Sequence, residues 1–134
     1  MGCINKRLPL AQDQARDIGL AYRVAYDALN SQFASESAWS TLACSFNVGL
    51  LLAEQGVHAE AKPMIKLAQV ALMRIQKGAL KSGNWRINLP FYQSQAILAA
   101  VNIHDEQCSV CTKGQIKDAL HEVHRRIEMG EVFV

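Results

Sequence analysis

What this 134-residue chain lacks most plainly is a catalytic signature. It has no phosphate loop, no nucleophile elbow and no dinucleotide fingerprint, which argues against an enzyme. No segment alternates polar and apolar residues for long enough to make a strand, which argues against a sheet. There are only three prolines, Pro9, Pro63 and Pro90. Each suits the first turn of a helix, where the missing N–H would have had no partner. Charge is sparse: 14 Lys and Arg against 12 Asp and Glu leave a formal +2, too little to require a nucleic-acid partner. Four cysteines, Cys3, Cys44, Cys108 and Cys111, do not make a secreted disulfide scaffold, so a reducing cytoplasm is expected. No apolar segment follows Lys6 and Arg7, so no secretory signal is expected. Met1-Gly2-Cys3 has the form of an acylated start, but Lys6 stands where the acylation pattern wants Ser or Thr, and an ordinary start is expected.

What is present is the material of a helical domain. The chain is long enough to bury a core without disulfides or metal, and 50% apolar with 19% charged residues is the composition of a folded protein. Residues 1–8 read as a tail and 9–130 as one bundle. The first helix is expected from Pro9 to about Gln32, because Ala11, Ala15, Ile18, Tyr22, Ala25, Leu29 and Phe33 recur at helical steps. Asp13, Arg16, Asp17, Arg23 and Asp27 fall on its solvent side.

Ser37 to Ala53 carries no charge at all, and Glu36 and Glu54 are the only charges beside it. It falls short of the roughly 18 apolar residues of a spanning helix and includes Ser40, Thr41, Ser45 and Asn47, so it reads as a buried central helix. Ser35, Glu36 and Ser37 supply capping chemistry at its start and Gly56 ends it. Its many apolar faces suggest a homodimer covering part of it. A third helix follows His58 and ends by Gly83. Pro90 opens a fourth reaching about Ile103, and Thr112 with Gln115 makes a capping box for a fifth striped by Ile116, Leu120, Val123 and Ile127. The expected fold is an all-α bundle of about five helices with short connections. Gly49, Leu52, Gly56, Ala61, Ile65 and Ala68 have the spacing of a tetratricopeptide hairpin, although nothing repeats it at a 34-residue period.

Two features could carry chemistry or binding. On the third helix Lys62, Lys66, Arg74, Lys77 and Lys81 fall within an arc of roughly 120°, and no acidic residue occurs between Ala61 and Asn88 to neutralise them. Val70, Met73 and Leu80 project into the same arc, and Trp85 and Arg86 follow. Cations interleaved with apolar groups point to a partner-binding surface anchored by Met73 and Trp85. The alternatives are a solvated face complemented by Asp13 and Asp17, or nucleic-acid binding. The second feature is Cys108-Ser-Val-Cys111. With His104 it offers three of the four ligands zinc wants, while His121 and His124 lie roughly 15–20 Å further along a helix. A thiol redox role would need the motif at a helix start after a strand. Structural thiols are the third option. His121-Glu122-Val123-His124 is not a zincin motif, and Asp105-Glu106 and Glu128 with Glu131 show no pocket that would split their pKa values.

Trp39, Asn47-Val48, Ala53-Glu54-Gln55-Gly56, Ala68 with Ala71-Leu72, Gly83 with Trp85, and His104-Asp105 with Gln107 form a wider pattern. Gly114, Ala119, Val123 and Arg125-Arg126 close it, so that it spans most of residues 35–126. In this pattern the chain resembles a loose group of short all-helical proteins encoded in proteobacterial prophages and plasmids. The resemblance implies a mobile-element accessory protein and nothing about its target; it brings no catalytic residues, and Cys108 and Cys111 stand outside it. A host or defence protein, bound through the third helix and the Trp85 loop, is the expected partner. The expected function is therefore a cytoplasmic interaction module without a membrane span. A thiol or zinc protein and a nucleic-acid-binding helical protein are the alternatives.

Overall fold

The structure is a computed structural model that describes residues 12–130, with side chains from residue 21 onward. The tail, Pro9, Ala11, Glu131 and the side chains of Asp13, Ala15, Arg16, Asp17 and Ile18, for which expectations were stated above, lie outside the described residues. The described residues form five helices: α1 (Gln12–Leu29), α2 (Glu36–Glu54), α3 (Lys62–Ser82), α4 (Phe91–Val110) and α5 (Lys113–Glu128). A single 3₁₀ turn, Ala59–Ala61, leads into α3. The fold is all-α, as expected, with no strand among the described residues.

Local chemistry sets most of the helix ends. Ser35 caps α2 by accepting from the Ala38 N–H at 3.1 Å. At the other end Gly56 takes φ +96°, which lets Val57 N–H reach Leu52 O at 2.9 Å and Gly56 N–H reach Ala53 O at 3.0 Å. That pair of bonds is a Schellman ending, and Val57 packs beside Leu52 as the motif requires. Pro63 sits in the first turn of α3, and Gly83 at φ +77° closes that helix. Thr112 and Gln115 form both bonds of the expected capping box, at 3.1 and 2.7 Å.

Two ends differ from expectation. α1 stops at Leu29 rather than Gln32, because Ser31 Oγ donates to Ala28 O and accepts from Phe33 N–H, forming a turn instead of another helical turn. Phe33 leaves the apolar stripe and is 73% exposed. α4 runs seven residues past Ile103, to Val110. Its buried face continues as Ile97, Ala100, Val101, His104, Gln107 and Cys108, at unbroken helical spacing. Two polar members hid that stripe from a reading based on apolar residues.

α2 is the hub and packs on α1, α3, α4 and α5. Leu42, Phe46, Leu50 and Ala53 enter a main core with Tyr22, Leu29, Ile65, Leu72, Ile97 and Val101. Val48, Leu51 and Leu52 lie on roughly the opposite side of the helix and form a second cluster with Cys111, Ala119 and Val123. A helix shared by two cores has no place for charge, which explains the sequence of α2. Because both sets are buried within one chain, α2 gives no reason of its own for a homodimer. In the α2–α3 hairpin Leu52, Ile65 and Ala68 are buried as the repeat-like spacing requires. Gly49 makes its tightest approach elsewhere: a Cβ there would lie 3.1 Å from Gln107 Oε1 and 3.4 Å from His104 Nδ1 on α4, with Ile65 farther off at 3.8 Å.

Candidate functional site

α3 buries Ile65, Ala68, Gln69, Ala71, Leu72, Ile75 and Ala79 along one side, which leaves about half its circumference to solvent. On the open side Lys66, Arg74, Lys77 and Lys81 are exposed. Between them stand Leu67 (57% exposed), Val70 (51%), Met73 (40%) and Leu80 (75%). Large apolar side chains are thus held in water beside cations on a helix already anchored by its other face. The acid-free stretch is longer than the loop boundary suggests: residues 61–104 contain six cations and no carboxylate. Only Lys62 of these cations has an ion-pair partner among the described residues, Glu54 at 3.7 Å. Arg74 donates instead to Gln93 Oε1 at 2.9 Å.

Trp85 does not join this surface. It is half-buried, its ring centroid 5.8 Å from that of Trp39, whose indole N–H donates to Leu72 O at 2.9 Å. It packs against the main core. Arg86, its neighbour, is exposed and points the other way.

A buried polar row on α4, which the sequence reading did not assemble, links three helices. Tyr22 Oη donates to Asp105 Oδ1 at 2.5 Å, and the Arg23 guanidinium grips Oδ2 of the same carboxylate while also donating to Asn102. His104 Nδ1 and Gln107 Oε1 are 3.0 Å apart, and Gln107 Nε2 donates to Gly49 O and Val57 O on the α2 side. Between α2 and α3, a second buried pair forms: Gln69 Nε2 donates to Asn47 Oδ1 at 2.9 Å. Burial holds His104 below the usual histidine pKa, so it stays neutral, and burial together with the Asp105 hydrogen bond pushes the Tyr22 phenol up. Among the described residues no buried side-chain nitrogen or oxygen lacks a partner. The row is a structural lock. Its signal in the sequence is polar residues at helical spacing on an apolar face.

The thiols sit at the wrong end of a helix for redox chemistry. Cys108 lies inside α4, and Cys111 caps its C-terminus with its N–H on Gln107 O at 3.0 Å. Cys111 also directly precedes the Thr112 N-cap of α5, but Cys108 lies in the last turn of a preceding helix and no strand leads into the motif among the described residues. Burial pushes the Cys108 thiol up to about 12 and raises Cys111 as well, the opposite of an activated thiolate. His104 does share the face of Cys108, with Nε2 3.8 Å from Sγ. Yet no group of three His, Cys, Asp or Glu side chains is placed to hold a metal among the described residues. His121 and His124 are exposed, as expected.

An open groove of about 330 Å³ runs between α2 and α5, lined by Trp39, Cys44, Asn47, Val123, His124 and Ile127 among others. No helix among the described residues is long and apolar enough to cross a membrane. Comparison with protein-family profiles, with curated proteins and with solved structures finds no match to this chain.

Proposed function

We propose that this protein is a small interaction module that docks an acidic partner protein on the outer face of α3. The observation that carries the reading is the row of exposed Leu67, Val70, Met73 and Leu80 among exposed Lys66, Lys77 and Lys81 in a stretch without carboxylates. Apolar area supplies affinity when covered, and unneutralised cations steer and select a partner of opposite charge. A partner helix or edge with an apolar stripe flanked by Asp and Glu would satisfy both. In keeping with the prophage and plasmid resemblance, the partner is a host or defence protein and this chain a mobile-element accessory. Nucleic acid is the weaker reading, since phosphates would leave the apolar row uncovered.

The test is affinity capture from nuclease-treated proteobacterial lysate by three proteins: wild type, Lys66→Glu/Val70→Ser/Lys77→Glu, and a control carrying Lys113→Glu/Lys117→Glu on α5. The expected result is an acidic protein retained by wild type and the α5 control and lost from the α3 variant, whose helical spectrum and Tm are unchanged. Equal capture by all three would discard the α3 face as the docking surface.

A further inference from the structure

Where α3 ends and the chain turns back, residues 84–89 form an irregular segment with a bend at Arg86, and Trp85, Ile87 and Leu89 pack against the main core. Asn84, Arg86 and Asn88, the residues between them, are all exposed. Together with Arg74 and Ser82 of α3 they line a cleft of about 170 Å³. Gly78 borders it, with room for a side chain: a Cβ there would meet nothing within 4 Å.

The cleft is rich in donors and holds no acid. Arg74 uses one N–H on Gln93, and Arg86 has no side-chain partner among the described residues. Asn84 Oδ1 accepts from the Arg86 backbone N–H at 3.0 Å, which commits its oxygen and leaves its amide N–H groups available. Ser82 Oγ is already committed, donating to Gly78 O and accepting from Asn84 N–H, and so holds the turn. The platform is fixed: Gly83 makes the turn at φ +77°, and Ile87 N–H is bonded to Leu29 O at 2.7 Å.

We propose that this cleft binds a phosphate monoester, held between the guanidinium groups of Arg74 and Arg86 with the Asn84 and Asn88 amides on its remaining oxygens. Drug-sized ligands occupy about 300–1,000 Å³, so a cleft of about 170 Å³ admits one polar group rather than a whole large ligand. A carboxylate is saturated by one bidentate guanidinium. Two such forks and two amides match the three terminal oxygens and double charge of a phosphate monoester. The site does not depend on the docking reading, because its residues on the 84–88 segment and Gly78 are absent from that test.

The experiment is a ¹H–¹⁵N NMR titration of the full chain with glycerol phosphate, against sodium chloride and sodium acetate at equal ionic strength. Saturable shifts at Asn84, Arg86 and Asn88 are expected with glycerol phosphate alone. Arg86→Ala should weaken binding by about tenfold or more, and Arg86→Lys by less. Gly78→Glu places a carboxylate in the cleft, removes no native contact and favours the helix; it should abolish binding with an unchanged or higher Tm. A phosphoserine peptide run in parallel distinguishes a phosphorylated metabolite from a phosphorylated protein by which binds more tightly, and either preference supports the site. Non-saturable shifts, shifts equal to those in chloride, or full binding by both Arg86→Ala and Gly78→Glu would overturn it.

Discussion

α3 and α4 lie side by side and each carries a polar row, but the two rows face opposite ways. On α4, His104, Asp105 and Gln107 turn toward α1 and α2 and find a partner for every buried polar atom. On α3, Lys66, Lys77 and Lys81 turn outward with no carboxylate partner among the described residues, beside apolar side chains that water covers poorly. The inward row had to be satisfied by the fold, since an unpaired buried polar group is expensive. It is therefore structure. The outward row was under no such demand, and what it leaves unsatisfied is open to a ligand.

This contrast can be broken at four places. The largest effect is expected from Asp105→Ala, which removes the acceptor of both the buried Tyr22 hydroxyl and the Arg23 guanidinium. Unfolding free energy should fall by about 1–3 kcal/mol, read as a lower urea midpoint at unchanged slope. An unmoved midpoint would place Asp105 in the same class as the α3 cations.

Next is Gly49→Ala. Helix propensity alone favours the alanine by about 1 kcal/mol, yet its methyl would stand 3.1 Å from Gln107 Oε1. A net loss of about 1 kcal/mol is expected. Adding Gln107→Ala should recover part of it, with a coupling of about 0.5 kcal/mol or more in the double-mutant cycle. Strict additivity would mean that Gln107 moves aside freely.

The third concerns pH. Burial lowers the folded pKa of His104 below its ordinary 6.5, so the unfolded chain binds a proton there that the folded chain refuses. Stability is then fully present above about pH 6.5 and declines as pH falls below it, toward the depressed folded value. His104→Gln should flatten that part of the stability profile between pH 7.5 and 5.5. A wild-type profile already flat there would show that the imidazole is protonated inside the fold.

The smallest change is expected on the outer face. Lys66→Glu with Lys77→Glu should alter unfolding free energy by no more than about 0.5 kcal/mol. A loss of 2 kcal/mol or so, on the scale of the core changes above, would mean that the α3 cations are structural after all.

The same contrast separates what could be read before the fold from what could not. Thr112 with Gln115, Ser35 before α2, and Pro63 with Gly83 around α3 act within a few residues of themselves, so the boundaries they set were legible. The charge-free α2 announced itself as the hub, and the cations of α3 as a face. Three things stayed hidden. α4 continues past Ile103 on His104 and Gln107, which look like surface residues until Gly49 O and Val57 O accept from Gln107 and Gln107 in turn pairs with His104. Trp85 looks like a surface residue until Trp39, tilted beside it, and the main core half-bury it. The outward set Asn84, Arg86 and Asn88 was visible in principle, as a six-residue alternation with Trp85, Ile87 and Leu89, but such an alternation reads as a strand, and none forms there.

By itself, then, the sequence determined about five helices, most of their ends and the charge of α3, because those follow from interactions between residues one to four apart. Which polar groups are locked inside and which remain free was decided only by tertiary structure. Tyr22 and Asp105 are 83 residues apart, and Gly49 and Gln107 are 58 apart. Nothing local distinguishes a carboxylate that will meet a buried phenol from one that will face water. Packing brings the two together, and the low polarity of the interior then makes the pairing obligatory.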